Sequence, residues 1–183
     1  MDAIVHPFRV GLGDDTHRID PTQSYMTLGG VRIDCGFGLA GHSDADVLLH
    51  AIIDALLGAA TLGDGYGDIG ELFPDTDPAN RNRSSVEMLE FVRNTILTQS
   101  SYHQIVNLDI TIHAERPKIL SLRRDIRLKI AEILHIPPEH VSIKAKTGEK
   151  VGPIGRGEAI TATAVVLMTN GQYYPPSTYT NPT

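Results

Sequence analysis

Residues 43–60 read SDADVLLHAIIDALLGAA, and the fold follows from how that stretch must be housed. Ser43 followed three residues later by Asp46 is a capping-box pattern, in which side chains satisfy the free amides of a helix start. It predicts a helix over about 44–60. Val47, Leu48, Leu49, Ala51, Ile52, Ile53, Ala55, Leu56 and Leu57 are all apolar, so most of the helix surface has to be buried. Asp46, His50 and Asp54 are the exceptions. Spaced by four, they form one narrow polar stripe, whereas a solvated face would be wider and carry Lys or Glu.

Such a helix needs a layer to lie on, and the flanking sequence supplies strands. Residues 8–12 read as a strand running straight into Asp14-Asp15-Thr16-His17, and 26–28 with 31–33 read as short strands around a Gly29-Gly30 turn. Ser84-x-x-Glu87 caps a second helix with Val86, Leu89, Val92 and Ile96 at helical spacing. Over 105–113 the alternation of Val106, Leu108, Ile110 and Ile112 with Asn107, Asp109, Thr111 and His113 is a period-two strand. A third helix is expected over 119–134, approached through Pro117 and ended by Pro137-Pro138. Two more strands, 141–146 and 159–168, flank a loop with Gly148, Gly152, Gly155 and Gly157. The fold class is α/β (α+β), with helices packed on one side of a mixed sheet. The loop 62–83, dense in Gly, Asp and Pro, is long enough to point to function.

At 183 residues the chain makes one domain with a real core, about 8–168, and a loose Thr- and Pro-rich tail over 169–183. The 16 Lys and Arg against 22 Asp and Glu give a net charge of −6 with no basic run, which argues against nucleic acid as a partner. A lone Cys35 makes no internal disulfide and fits a reducing, cytoplasmic setting. The start lacks a secretory pattern, and the most apolar stretch, 47–62, is broken by His50, Asp54 and Gly58, so no membrane span is expected.

Asp15 and His17, two apart on a strand, point to the same side and can both reach one ion. With His50 they would make an Asp-His-His set, which suits zinc and leaves an open position for substrate. Two plainer readings stand beside it: His50 bonding Asp46 or Asp54 within its own helix, and a turn-stabilising Asp15 next to an exposed His17. Gly41-His42-Ser43 would lie at the helix N-terminus, where amides attract phosphate, or else Ser43 is a plain cap and His42 a surface residue. Lys144, Lys146, Thr147 and Glu149, before a Gly-rich loop with Arg156, offer phosphate donors and a carboxylate able to hold Mg²⁺. An ordinary charged hairpin loop would read the same. The stretch matches neither the P-loop nor the dinucleotide fingerprint, and no Ser nucleophile elbow or base-activated Cys is present. His6, His103, His113, His135 and His140 read as solvent or strand-face residues.

Taken in order, Asp15-Thr16-His17, His42-Ser43-Asp44-Ala45-Asp46-Val47, His50, Asp54-Ala55-Leu56-Leu57-Gly58-Ala59-Ala60, Asp68-Ile69-Gly70, Phe73-Pro74-Asp75-Thr76-Asp77 and Gly155-Arg156-Gly157-Glu158 carry a specific resemblance. Over roughly residues 9–168 the chain resembles the 2-C-methyl-D-erythritol 2,4-cyclodiphosphate synthase family of the non-mevalonate isoprenoid pathway. The resemblance implies a ferredoxin-like subunit, a homotrimer with active sites at subunit interfaces, and a metal-dependent phosphorus–oxygen lyase. The substrate would be 4-diphosphocytidyl-2-C-methyl-D-erythritol 2-phosphate, whose own 2-phosphate attacks the β-phosphorus and expels CMP. No protein nucleophile is needed, in keeping with the absence of one.

By the same resemblance, Asp15, His17 and His50 hold Zn²⁺ or another divalent transition metal, and Glu149 sits near Mg²⁺ or Mn²⁺. His42 and Thr147 match transition-state stabilisers, and Ser43 a contact to phosphate or to the sugar-like part, with Asp15, Thr16 and His17 beside the substrate. Asp68, Ile69 and Gly70, then Phe73, Pro74, Asp75, Thr76 and Asp77, match the loop around the methylerythritol. Ala114, Pro117, Lys118, Ile119 and Leu120, together with Lys146, Thr147 and Gly148, match the cytidine side, contributed by an adjacent subunit, and Arg156 joins the substrate contacts.

Three features depart from the family pattern. About four extra residues stand around 63–67, so either Asp64 or Asp68 takes the hydroxyl-binding place, and the following Ile69-Gly70 favours Asp68. Lys146-Thr147-Gly148-Glu149 replaces a Thr-rich stretch and brings an extra positive charge. Pro153 stands where many members carry an aromatic residue near the trimer axis, which bears on isoprenoid binding there. A zinc-dependent phosphohydrolase and a non-catalytic trimeric ligand-binding protein are the competing readings, the latter disfavoured by the intact Asp15, His17, His50, Thr147 and Glu149.

Overall fold

The computed structural model describes residues 6–41, 43–60, 67–74, 76–80 and 83–171. Along the chain these form β1 (Phe8–Asp20), β2 (Met26–Leu28), β3 (Val31–Ile33), β4 (Gly38–Leu39), α1 (Val47–Ala60), α2 (Ile69–Leu72), α3 (Ser85–Phe91), β5 (Gln104–His113), α4 (Arg123–Leu134), β6 (Val141–Lys146), α5 (Gly152–Gly155) and β7 (Ala159–Thr169). His42, Asp64, Asp75 and the tail beyond residue 171 lie outside the described residues.

The first strand is much longer than its apolar start implies. It pairs with β7 from Phe8 opposite Thr169 to Arg18 opposite Ala159, and this hydrogen-bonded ladder, rather than hydropathy, carries it through Asp14-Asp15-Thr16-His17. The sheet order is β4-β1-β7-β5-β6, with β5 antiparallel to β7 and parallel to β6. α1 packs on β1 and β7, α4 packs on β6, and α3 joins the two helices. A mixed sheet with helices on one side is what the sequence leads one to expect.

The threading differs from the ferredoxin-like expectation. A ferredoxin-like unit runs β-α-β-β-α-β. Here two helical crossovers come in succession, β1 to β5 and β5 to β6, before β7 returns directly to the middle of the sheet. The parallel pairing of β6 on the outer edge of β5 leaves β7 the central place between β1 and β5.

α1 begins at Val47, three residues later than the capping pattern suggests. Ala45 takes a left-handed conformation (φ 53), which stops a helix from running through it. The cap is Asp46 instead. Fully buried, it accepts the amides of Leu48 and Leu49 at 3.2 and 3.1 Å and those of Gly29 and Gly30 at 2.8 and 2.7 Å. Both glycines have positive φ, 62 and 75, as a tight hairpin turn between β2 and β3 demands, so one carboxylate ties that hairpin to the helix start. Burial pushes this carboxyl above the usual range, against the pull of the amides.

Elsewhere the expected elements form with shifted ends. Ser84 Oγ caps α3 through the Val86 amide at 3.2 Å, as its motif predicts. The third helix is divided, with a single turn at Ile119–Ser121 preceding α4, which stops at a left-handed His135 before the two prolines.

Candidate active site

Gly11, Gly13, Asp15, His17 and Ile19 alternate onto the helix-facing side of β1. A Cβ on Gly11 would lie 1.8 Å from the Ala55 carbonyl oxygen, and one on Gly13 would lie 2.2 Å from that of Ala51. The backbone of α1 therefore rests directly on the strand. Where the glycines end, the functional side chains begin, and Asp15 and His17 meet His50 of the first turn of α1.

Asp15 Oδ2 lies 2.9 Å from His17 Nε2 and 3.0 Å from His50 Nδ1, and the two ring nitrogens are 3.3 Å apart. His17 Nδ1 is 2.6 Å from the Ala40 carbonyl oxygen, which only accepts, so Nδ1 carries a hydrogen and Nε2, when the ring is neutral, turns its lone pair inward. Gly41 lets the chain close over that ring, since a Cβ there would sit 2.9 Å from His17 Cε1. A carboxylate oxygen and two imidazole nitrogens thus converge, the His17 ring held from behind by the Ala40 carbonyl, and this donor set fits a divalent transition metal. The alternative in which the His50 ring bonds Asp46 or Asp54 is not the one found.

Electrostatics agree with this geometry. Burial would raise the Asp15 carboxyl, but hydrogen bonds and charge from His17 and His50 outweigh it and hold it well below the usual carboxylate range. Burial would lower His17, yet its bonds to Asp15 and to the Ala40 carbonyl raise it above 6.5. The third member of the polar stripe points elsewhere. Asp54 Oδ1 accepts the Ile69 amide at 2.7 Å and so anchors α2, while burial, aided by the charges of Asp68 and Asp15, raises its carboxyl.

The triad opens into a cavity of about 250 Å³ that is also lined by Gly41, Ser43, Ile69, Gly70, Phe73, Asn80 and Met88. Asp68 caps α2 by accepting the Glu71 amide at 2.8 Å, Pro74 accepts the Asn80 side chain at 3.1 Å, and Asp77 accepts the Ala79 amide at 2.9 Å, with Thr76 between them. Ser43 does not stand at free helix amides, because Asp46 takes those of Leu48 and Leu49. Thr16 points to the other face of β1, its hydroxyl 2.9 Å from that of Thr161.

A second group forms at the ends of β5 and β6. The Ala114 amide donates to the Lys146 carbonyl at 2.9 Å, Thr147 Oγ1 donates to Glu149 Oε1 at 2.5 Å, and Glu115 pairs with Lys150. Glu149 and Lys150 both have positive φ, 48 and 63. Pro117 and Lys118 lead into the Ile119 turn, where Ile119 is buried and Leu120 is 72% exposed. Gly148 lies against Gly155, leaving no room for a side chain. Arg156 is held by Glu158 at 2.7 and 3.0 Å. None of residues 114–120 or 146–149 lines the cavity of the triad. Ser85, which stands behind His50, and Asp44, which holds Ser85, escape a reading of the sequence; a helix-start serine next to a capping serine carries no distinguishing pattern.

The YgbB family model matches residues 8–169. A 2-C-methyl-D-erythritol 2,4-cyclodiphosphate synthase of Solibacter usitatus is 51% identical over 160 residues, 87% of this chain and 96% of that protein. Its namesake in Nitrosospira multiformis is 47% identical over 169 residues, 92% of each chain. Among solved structures, IspF of Plasmodium falciparum in complex with CDP is similar with a TM-score of 0.75 at 35% identity, over 90% of this chain and 97% of that one. The bifunctional IspDF of Campylobacter jejuni gives a TM-score of 0.79 at 36% identity, over 88% of this chain and 42% of that one.

Proposed function

The chain belongs to the YgbB family, and from that premise we infer what it does and which parts do it. It is an enzyme of isoprenoid biosynthesis, a lyase that converts 4-diphosphocytidyl-2-C-methyl-D-erythritol 2-phosphate to 2-C-methyl-D-erythritol 2,4-cyclodiphosphate and CMP. An oxygen of the 2-phosphate bonds to the β-phosphorus while the bond from that phosphorus to the α,β-bridging oxygen breaks. CMP leaves with the bridging oxygen, and no water is consumed. With no protein nucleophile involved, catalysis reduces to positioning and charge neutralisation.

Asp15, His17 and His50 would hold a divalent transition metal, zinc by the chemistry of the donors, and Glu149 would hold Mg²⁺ or Mn²⁺. When bound, these ions would supply positive charge that neutralises the reacting diphosphate. The observation that carries this reading is the convergence of Asp15 Oδ2, His17 Nε2 and His50 Nδ1 at a cavity shared with Ser43, Ile69, Gly70 and Phe73. Ser43, Asp68, Ile69 and Gly70, with residues 73–77, surround the methylerythritol. Residues 114–120 and Lys146, Thr147 and Gly148 take the cytidine diphosphate, a reading supported by the CDP bound to the Plasmodium falciparum relative. His42 and Thr147 stabilise the transferring phosphate, and Arg156 adds a cation.

The working form is a homotrimer in a single-domain arrangement. On the helix-free face of the sheet Val10, Leu12 and Val165 are 66%, 64% and 38% exposed, apolar area that a second copy would cover. The separation of the 146–149 group from the triad's cavity supports a site completed by the neighbouring subunit. Mixing tests this: Asp15→Ala subunits, inactive alone, and Glu149→Gln subunits, slowed alone, recover activity above that of either variant when exchanged into one oligomer. Mixed oligomers without recovered activity would contradict the shared site.

A further inference from the structure

We propose that Ser85 and Asp44 are positioning residues that fix the tautomer of His50 and so hold it as a metal ligand, an inference that rests on the metal-site reading above. Ser85 is the first residue of α3 and is fully buried. Its amide donates to Asp44 Oδ2 at 3.1 Å, and its hydroxyl donates to Asp44 Oδ1 in a very short contact. Asp44 thus grips Ser85 by both of its donors. On the other side, Ser85 Oγ lies 2.9 Å from His50 Nε2.

Proton accounting then leaves one arrangement. A carboxylate only accepts, so the single hydrogen of the Ser85 hydroxyl is committed to Asp44. Toward His50, Ser85 Oγ has only a lone pair to offer, and Nε2 must carry the hydrogen. In the neutral ring Nδ1 therefore turns a lone pair toward Asp15 Oδ2 and His17 Nε2. Three electron-rich atoms facing one another call for positive charge between them, supplied by protons on the inward nitrogens in metal-free protein or by a metal ion, and the two imidazoles are fixed from opposite sides, His17 by the Ala40 carbonyl and His50 by Ser85.

The same arrangement reaches the cavity wall. Ser43 Oγ lies 3.2 Å from His50 Nε2 and accepts the Ala45 amide at 3.1 Å. Facing an N–H, it accepts there as well, so its own hydrogen is not drawn to His50. The chain Asp44–Ser85–His50 also links α3 to α1, which makes ligand orientation depend on how the start of α3 is docked.

The test compares wild type with Ser85→Ala, Ser85→Thr, Asp44→Asn and Asp15→Ala. Two readouts are taken: the zinc dissociation constant by competition with a chromogenic chelator, and the ¹⁵N shifts of the His50 ring in metal-free protein. Ser85→Ala should weaken zinc binding about 10–100-fold and convert His50 from the Nε2–H form to a mixture of tautomers. Asp44→Asn should act in the same direction, and Ser85→Thr, which keeps the hydroxyl, should restore most of the affinity. Wild-type zinc affinity in Ser85→Ala, or lost affinity with the Nε2–H form unchanged, would overturn the proposal. Equally weak zinc binding by wild type and Asp15→Ala would overturn the metal reading itself, and the proposal with it.

Discussion

Gly13→Ala tests how far the metal centre depends on α1 lying directly on the backbone of β1. The added Cβ would sit 2.2 Å from the Ala51 carbonyl oxygen, 2.6 Å from the Ala55 nitrogen and 2.8 Å from Asp54 Cβ, where real Cβ atoms keep at least 3.0 Å. The helix must retreat by the difference, about 0.8 Å. His50 travels with that helix, whereas Asp15 and His17 stay on the strand. Metal–ligand distances tolerate only about 0.2 Å, so the three donors no longer fit one ion. Overpacking costs about 1–3 kcal/mol, partly offset by about 0.4–1 kcal/mol from a stiffer unfolded chain. We expect a net loss of about 1–2 kcal/mol in urea denaturation of the metal-free protein, with zinc affinity reduced by at least about tenfold. Gly58→Ala is the control, because a Cβ there meets only Gly11 Cα at 3.9 Å. It should raise stability by about 0.5–1 kcal/mol and leave zinc binding unchanged. A Gly13→Ala protein with wild-type stability and wild-type zinc affinity would refute the reasoning.

Asp15→Ala and His50→Ala should each abolish zinc retention and turnover in a protein that still folds; full activity of either variant without metal would remove the triad from the mechanism. Glu149→Gln should weaken the Mg²⁺ dependence and slow turnover with zinc still bound, which a Mg²⁺ titration against zinc content checks. The pH dependence has two opposing parts, set by His17 and the groups that face it: Asp15 on its own strand, His50 from α1 and, further off, Asp46. In metal-free protein the raised His17 contributes stability that is present below 6.5 and lost as pH rises through its folded value, while the lowered Asp15 contributes stability present above 3.8 and lost in stronger acid. Zinc competes with the His17 proton, so its affinity should fall as pH drops and begin to fall above 6.5. Urea denaturation and chelator competition from pH 4 to 8 should therefore slope in opposite directions above 6.5; parallel slopes would contradict the assignment of His17.

Much of this was legible because local rules and tertiary demands agree. The apolar run over 47–60 had to be buried, the alternation over 105–113 had to be a strand, and Asp15, His17 and His50 carry metal-ligand chemistry in their residue types. Where tertiary contacts decide, the sequence was silent. Nothing in 8–12 foretells that pairing with β7 extends β1 to Asp20, and nothing in Ser43-x-x-Asp46 reveals that a left-handed Ala45 moves the cap to Asp46. The threading of the sheet depends on β6 taking the outer edge of β5, a long-range choice that periodicity does not encode. Ser85 remained hidden for the same reason, since its role lies in contacts to Asp44 and His50, 41 and 35 residues away.

The most direct test of the central claim is a ³¹P NMR time course with 4-diphosphocytidyl-2-C-methyl-D-erythritol 2-phosphate, comparing protein supplied with Zn²⁺ and Mg²⁺ against chelator-treated protein. The account predicts CMP and a cyclic diphosphate appearing one for one, only in the metal-supplied sample. A linear phosphorylated product with CMP would show that water, not the substrate's own 2-phosphate, attacks the β-phosphorus, and would contradict it.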